Sequence, residues 1–177
     1  MVIIDGGIKL RAIEETDMDF CREMLNSSYI ETCTIGKSFP ISEKQQLEWF
    51  KNFDCNQELR LIIENEEGRI GMLIASDINW INKNCEVGIK LTNNGQVKRD
   101  DTLNASKLFI DYLFNELNMH CLYAHILQEN RLSNKLLGKL GFIQDGVLRQ
   151  RVYKRGNYHD VAVFSLLKTE YTGGKDE

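Results

Sequence analysis

The segment that most constrains this chain is Asn130-Arg131-Leu132-Ser133-Asn134-Lys135-Leu136-Leu137-Gly138-Lys139-Leu140-Gly141-Phe142. Asn130 and Ser133 are both strong helix-capping residues. Leucines follow at helical spacing, and Gly141-Phe142 is an exit into a strand. A strand-like run, Leu122 to Leu127, lies just ahead. A strand, a short amphipathic helix and a further strand in this order form a unit that packs a helix on a sheet.

The rest of the chain supplies the partners for that unit. Ile8 to Ile13 alternates as a first strand, and Thr16 with Asp19 predicts a capped helix carrying Met18, Cys21 and Leu25 on its apolar face. Residues 27–40 read as a loop ending at Pro40. Ser42 and Gln45 open a second capped helix. Leu59–Ile63 and Arg69–Ile78 form a hairpin around a charged turn, and Cys85–Leu91 alternates as a third strand of a meander. Apolar residues from Leu103 to Leu117 recur at helical spacing. Two last strands, 143–152 and 158–167, flank the turn Lys154-Arg155-Gly156-Asn157. The order β-α-α-β-β-β-α-β-α-β-β predicts an α/β fold (α+β in some schemes). Its sheet is mixed and mostly antiparallel, with helices on both faces. No internal repeat or flexible linker divides residues 1–177. One domain is expected, with a core at about 8–168 and a frayed tail at 172–177.

Composition narrows the function classes. The chain has 177 residues, 42% apolar and 27% charged, enough to bury a core. A net charge of −4 argues against a general nucleic-acid binder. No run is long enough to span a bilayer, and the N-terminus does not read as a signal peptide. Five scattered cysteines without a paired C-x-x-C argue against a disulfide framework or a zinc site. Reduced thiols in the cytoplasm are expected, and no metal site. His120, His125 and His159 lie on separate elements without metal-ligand spacing.

Asn130-x-x-Ser133 followed by Lys139-Leu140-Gly141-Phe142 resembles the last conserved segment of the GNAT N-acetyltransferase superfamily. The predicted element order is also that of this family. Leu10-Arg11-Ala12-Ile13, Asp77-Ile78-Asn79, Glu86-Val87-Gly88-Ile89, Gly146-Val147-Leu148-Arg149 and Gly156-Asn157-Tyr158-His159-Asp160 look like landmarks of its ribosomal-protein (RimJ/RimL-like) branch, in order. The resemblance implies direct acetyl transfer from acetyl-coenzyme A to a primary amine of a small molecule or peptide. It implies that Glu86 deprotonates the amine and that Ser133, or a water, protonates the leaving thiolate. A tyrosine usual in the family four residues after Ser133 is replaced by Leu137. Coenzyme contacts are implied at Ile89, Leu91, Gln96, Val97, Lys98, Arg99, Asp101, Thr102, Leu103, Asn130 and Ser133. A monomer or homodimer is expected.

Each of these residues also has a plainer reading. Glu86 reads as a solvated strand glutamate, and Asn130 and Ser133 as helix caps. Arg149, Arg151, Lys154 and Arg155 read as a solvated hairpin tip or as a site for phosphate or an acidic partner. The family's glycine-rich pyrophosphate loop is degenerate here. Lys98, Asp100 and Thr102 stand where glycines let backbone N–H groups approach phosphate. Asp100 and Asp101 either cap the next helix or repel the anion. A non-catalytic binding or regulatory protein of this fold is therefore the alternative.

Overall fold

The computed structural model describes residues 2–36, 39–98 and 100–173. Its elements in chain order are β1 Val2–Asp5, β2 Ile8–Ala12, α1 Met18–Leu25, α2 Ser28–Cys33, α3 Glu43–Lys51, β3 Leu59–Asn65, β4 Gly68–Asn79 and β5 Asn84–Leu91. They continue as α4 Asp101–Asp111, β6 Cys121–Leu127, α5 Arg131–Lys139, β7 Ile143–Lys154 and β8 Asn157–Leu167. One eight-stranded sheet has the order β1-β2-β3-β4-β5-β6-β8-β7. Every neighbouring pair is antiparallel except β5–β6. The mixed α/β architecture is the one expected.

Strand alternation builds a core on each face. Leu61 and Ile63 point to the α4–α5 side, where Phe109, Leu113, Phe114, Leu122 and Leu166 pack. Ile62, between them, points the other way and joins Met18, Cys21, Met24 and Ile30 of α1 and α2. Ser42 caps α3 as expected, accepting the Gln45 N–H at 3.2 Å while the Gln45 side chain accepts the Ser42 N–H at 2.9 Å. Beyond Asp111 the helix widens into a π-turn over Tyr112–Glu116.

Four expectations are corrected. A strand, β1, precedes the first one expected, turned onto β2 by Gly6 and Gly7, whose φ values of +55° and +83° suit glycine. Thr16 does not cap the first helix. A 3-10 turn over Glu15–Asp17 leads into α1, and the Asp17 carboxylate accepts the Glu14 N–H at 2.9 Å. The expected loop at 27–40 contains α2, capped by Ser27, whose hydroxyl accepts the Ile30 N–H at 3.3 Å. The hairpin turn at 154–157 is shorter than expected, because Lys154 ends β7 and Asn157 begins β8. The last four residues of the expected frayed tail, 174–177, lie outside the described residues.

Asp17 anchors the α1 face. Its carboxylate is almost wholly buried, at 1% exposure. It accepts from Arg11 Nη1 and Nη2, at 2.7 and 2.9 Å, and from Arg69 Nη1 at 3.1 Å, while Arg11 Nε donates to Glu64 at 2.7 Å. Burial opposes its ionisation, but Arg11, the Glu14 N–H and Arg69 outweigh that and hold its carboxyl below the usual range. A carboxyl with a depressed folded pKa contributes stability above its unfolded value of about 3.9, and loses it as pH falls through the folded value. Asp17→Asn is therefore expected to cost about 3 kcal/mol at neutral pH, because it removes the anion that Arg69 pairs with and leaves Arg11 only Glu64. Urea unfolding at pH 7 and pH 3 checks this. The gap between variant and parent should narrow at the lower pH.

Candidate functional site

The site begins where one strand pair comes apart. β5 and β6 pair in parallel over only three positions, Asn84↔Cys121, Cys85↔Leu122 and Glu86↔Tyr123. Both strands run on, but β5 stays with β4 as far as Leu91, and β6 stays with β8 as far as Leu127. The two diverge after Glu86 and Tyr123, and among the described residues their facing backbone edges have no strand partner there. A bulge in β4 between Ser76 and Asn79, with Asp77 at φ 51°, lies beside the same fork.

A cavity of about 340 Å³ opens in this fork and is lined from both faces of the sheet. On the α4–α5 side its wall is apolar, with Phe109, Ile110, Leu137, Leu140 and Phe142. On the α1–α3 side it is polar, with Glu58, Arg60, Ser76, Glu86 and Lys90. Glu86 lies at the fork and is a quarter exposed. Its Oε1 is 3.0 Å from His125 Nδ1. His125 meets the Tyr123 ring edge-on at 5.8 Å. Arg60 is ion-paired with Glu58 and lies 4.6 Å from the Trp49 ring centre. Burial lowers the pKa of Lys90, and neighbouring Arg60 adds to that effect.

Of the expected site residues, Glu86, Ile89 and Ser133 line this cavity together. Asn130 does not. Its Oδ1 accepts the Ser133 N–H at 3.1 Å, and its Nδ2 donates to the Cys33 carbonyl at 2.9 Å. Both ends of its amide are thus engaged within the chain, one capping α5 and one tying α5 to the end of α2. Leu91, Val97 and Leu103 pack against the core. Arg99 lies outside the described residues. The sequence does not mark several polar cavity residues as site residues, among them His125, Arg60 and Lys90. Strand alternation from Glu86 marks Lys90 as lying on the same face. The approach of His125 depends on the β5–β6 register, for which the sequence carries no local signal.

The hairpin tip is not a solvated cluster throughout. Arg149 and Arg151 are exposed, but Lys154 is buried, at 6% exposure, and its ammonium meets the Glu31 carbonyl. Arg155 Nη2 lies 2.8 Å from Glu31 Oε2. The acidic partner is the chain's own α2. Together with Asn130, these contacts hold Thr34, Ile35 and Gly36, which follow α2, along the cavity wall.

The loop before α4 is internally bonded. Asp101 Oδ2 accepts the Lys98 N–H at 2.8 Å and an Asn65 Nδ2 hydrogen at 2.7 Å. Asn65 also donates to the Gln96 carbonyl at 3.0 Å, and the Lys98 ammonium meets Glu66. Asp101 therefore braces the loop rather than bonding to an N–H of the helix it starts. Asp100 is exposed, and its side chain makes no cap bond. Thr102 contributes its carbonyl to the Ser106 hydroxyl at 2.7 Å.

A family profile described as an acetyltransferase (GNAT) domain matches residues 8–143. The chain belongs to this family. It is an acetyl-coenzyme A-dependent N-acetyltransferase. A spermidine N(1)-acetyltransferase of Vibrio cholerae serotype O1 is 26% identical over 169 residues, covering 95% of this chain and 97% of the relative. A putative ribosomal N-acetyltransferase, YdaF, of Bacillus subtilis strain 168 is 30% identical over 105 residues, or 59% of this chain and 57% of the relative. The structure of Vibrio cholerae spermidine N-acetyltransferase with CoA and spermine superposes with a TM-score of 0.87 at 27% identity, covering 94% of this chain and 99% of that one. The relatives thus span polyamine and ribosomal types and do not single out the ribosomal branch. Among the described residues, no helix is long and apolar enough to cross a membrane, and no group of three or more His, Cys, Asp or Glu could hold a metal.

The apolar half of the fork cavity suits an acyl-pantetheine arm. The loop suits a pyrophosphate less well, because the Lys98 N–H already serves a carboxylate. The two aspartates should therefore respond in opposite directions. Asp100→Asn removes a negative charge and no cap bond, and coenzyme A should bind about threefold tighter. Asp101→Ala releases Lys98 and Asn65, and binding should weaken. Calorimetric titration of both folded variants with coenzyme A measures the two effects.

Proposed function

We propose that the acceptor is a primary amine of a small molecule or peptide. It enters from the α1–α3 face and meets the acetyl-pantetheine arm, which enters from the α4–α5 face, for direct transfer in a ternary complex. The observation that carries this is the fork cavity, lined through the sheet from both sides, with Glu86 at its vertex. Bound acetyl-coenzyme A supplies a thioester carbonyl. Backbone N–H groups of β5 beyond Glu86, freed from strand pairing, are available to polarise it. Glu86 accepts the amine proton directly or through a water, which leaves the nitrogen lone pair free to attack. His125 is a positioning residue. Its contact with Glu86 Oε1 fixes the carboxylate at the fork. The Ser133 hydroxyl, or a water beside it, is available to protonate the leaving sulfur, since Leu137 has no acidic hydrogen to offer.

The spermidine acetyltransferases support a small-molecule amine, and spermidine is the first acceptor to assay. The YdaF match supports a peptide N-terminus as the second. Thiol release from acetyl-coenzyme A in the presence of each amine tests the reading. Turnover with either supports it, and absence of turnover with both, together with absence of acetyl-coenzyme A binding, contradicts it. Glu86→Gln should lower kcat by roughly 10²–10⁴-fold while leaving the acetyl-coenzyme A Kd nearly unchanged. A rate within a few-fold of the parent removes Glu86 from the proton transfer.

A further inference from the structure

The charges on the acceptor side of the cavity are not those of a site built for polycations. Two acidic and two basic side chains line it: Glu58, Glu86, Arg60 and Lys90. The formal charges of these four residues cancel. The pairing is uneven. Glu58 is ion-paired with Arg60, and Glu86 contacts His125. Lys90 has neither an ion pair nor a hydrogen bond to any described residue. Its acidic neighbour Glu58 already serves Arg60.

Position makes this consequential. Glu86 and Lys90 lie four residues apart on β5, so alternation puts them on one face. A strand rises about 3.3 Å per residue, which separates their backbones by roughly 13 Å. The flexible lysine stem lets the ammonium lean back toward Glu86. A half-buried cation without a partner is costly to keep charged, and burial and Arg60 both bear against it. An anion delivered by a ligand would relieve that cost. A trication such as spermidine would add to it.

From this arrangement, and resting on the reading of the cavity as the acceptor site, we infer that Lys90, with Arg60 beside it, determines acceptor specificity. The two bind a carboxylate or phosphate at the far end of an acceptor whose amine lies at Glu86. The preferred substrate is thus an amine that carries an anion, and this chain departs in acceptor class from its spermidine-acetylating relatives.

Three probes test the inference: 8-aminooctanoate, glucosamine 6-phosphate and spermidine, each assayed by thiol release from acetyl-coenzyme A. One of the two anionic amines should exceed spermidine in kcat/KM by about tenfold or more, the worth of one hydrogen bond to a charged group. Which of the two wins distinguishes a carboxylate ligand from a phosphate. Lys90→Met keeps the stem and removes the charge. It should raise KM for the anionic amine about tenfold and raise kcat/KM for spermidine, collapsing the preference. Lys90→Arg should retain the preference. A general loss of fold or packing lowers all three activities together and leaves their ratio unmoved, so the ratio reports recognition. Acetylation of spermidine in preference to both anionic amines overturns the inference and leaves the transferase reading intact. So does a preference that survives in Lys90→Met. Turnover with none of the three, without acetyl-coenzyme A binding, overturns both.

Discussion

Everything functional in this structure follows from a strand pair that stops early. β5 and β6 share three register positions, and each then follows a different neighbour. Backbone N–H and C=O groups ordinarily find partners within a sheet. Beyond Glu86 and Tyr123 the facing edges instead border a cavity that connects the two faces of the sheet. A sheet paired to its end would bury these groups and close the passage. On the proposed reading, the break makes a donor from one face and an acceptor from the other reachable at Glu86.

The elements around the break keep it open and shaped. Phe109 and Ile110 of α4 and Leu137 and Leu140 of α5 give the α4–α5 half its apolar wall. On the other face, α2 is held by two devices. The Asn130 amide links it to the cap of α5, and Lys154 and Arg155 grip Glu31 from the β7–β8 hairpin. Lys154 is buried, so its contact with Glu31 is shielded from the solvent screening that weakens surface ion pairs. Asn130 is thus the corner at which a helix cap, an acceptor-side helix and a cavity wall meet.

Much of the fold was legible because its signals are local. The Ser42–Gln45 capping box, the alternation of Cys85–Leu91 and the Asn130 start of α5 stand in the sequence as they stand in the structure. What escaped has physical reasons. β1 lacks a pattern of its own, since Val2 and Ile4 are exposed and its pairing is fixed by Gly6-Gly7. α2 is only six residues long and is held by contacts more than ninety residues away in sequence, with Asn130, Lys154 and Arg155. Asp17 commits its carboxylate to Arg11 on β2 and to Arg69, which is remote in sequence on β4, and a capping pattern centred on Thr16 carries no sign of either contact. In the site, Glu86 was legible from its strand. His125 beside it was not, because that contact exists only in one parallel register of β5 on β6.

The fork can be probed directly by hydrogen–deuterium exchange of the backbone amides, with and without saturating acetyl-coenzyme A. If the thioester arm lies in the break between β5 and β6, amides within 87–91 become protected on binding. The antiparallel ladder of β2 with β3, remote from the fork, exchanges as before. Protection confined to the loop at 95–98 and the start of α4, with 87–91 unchanged, would mean that coenzyme A binds without entering the fork. That result would contradict the transfer geometry described above.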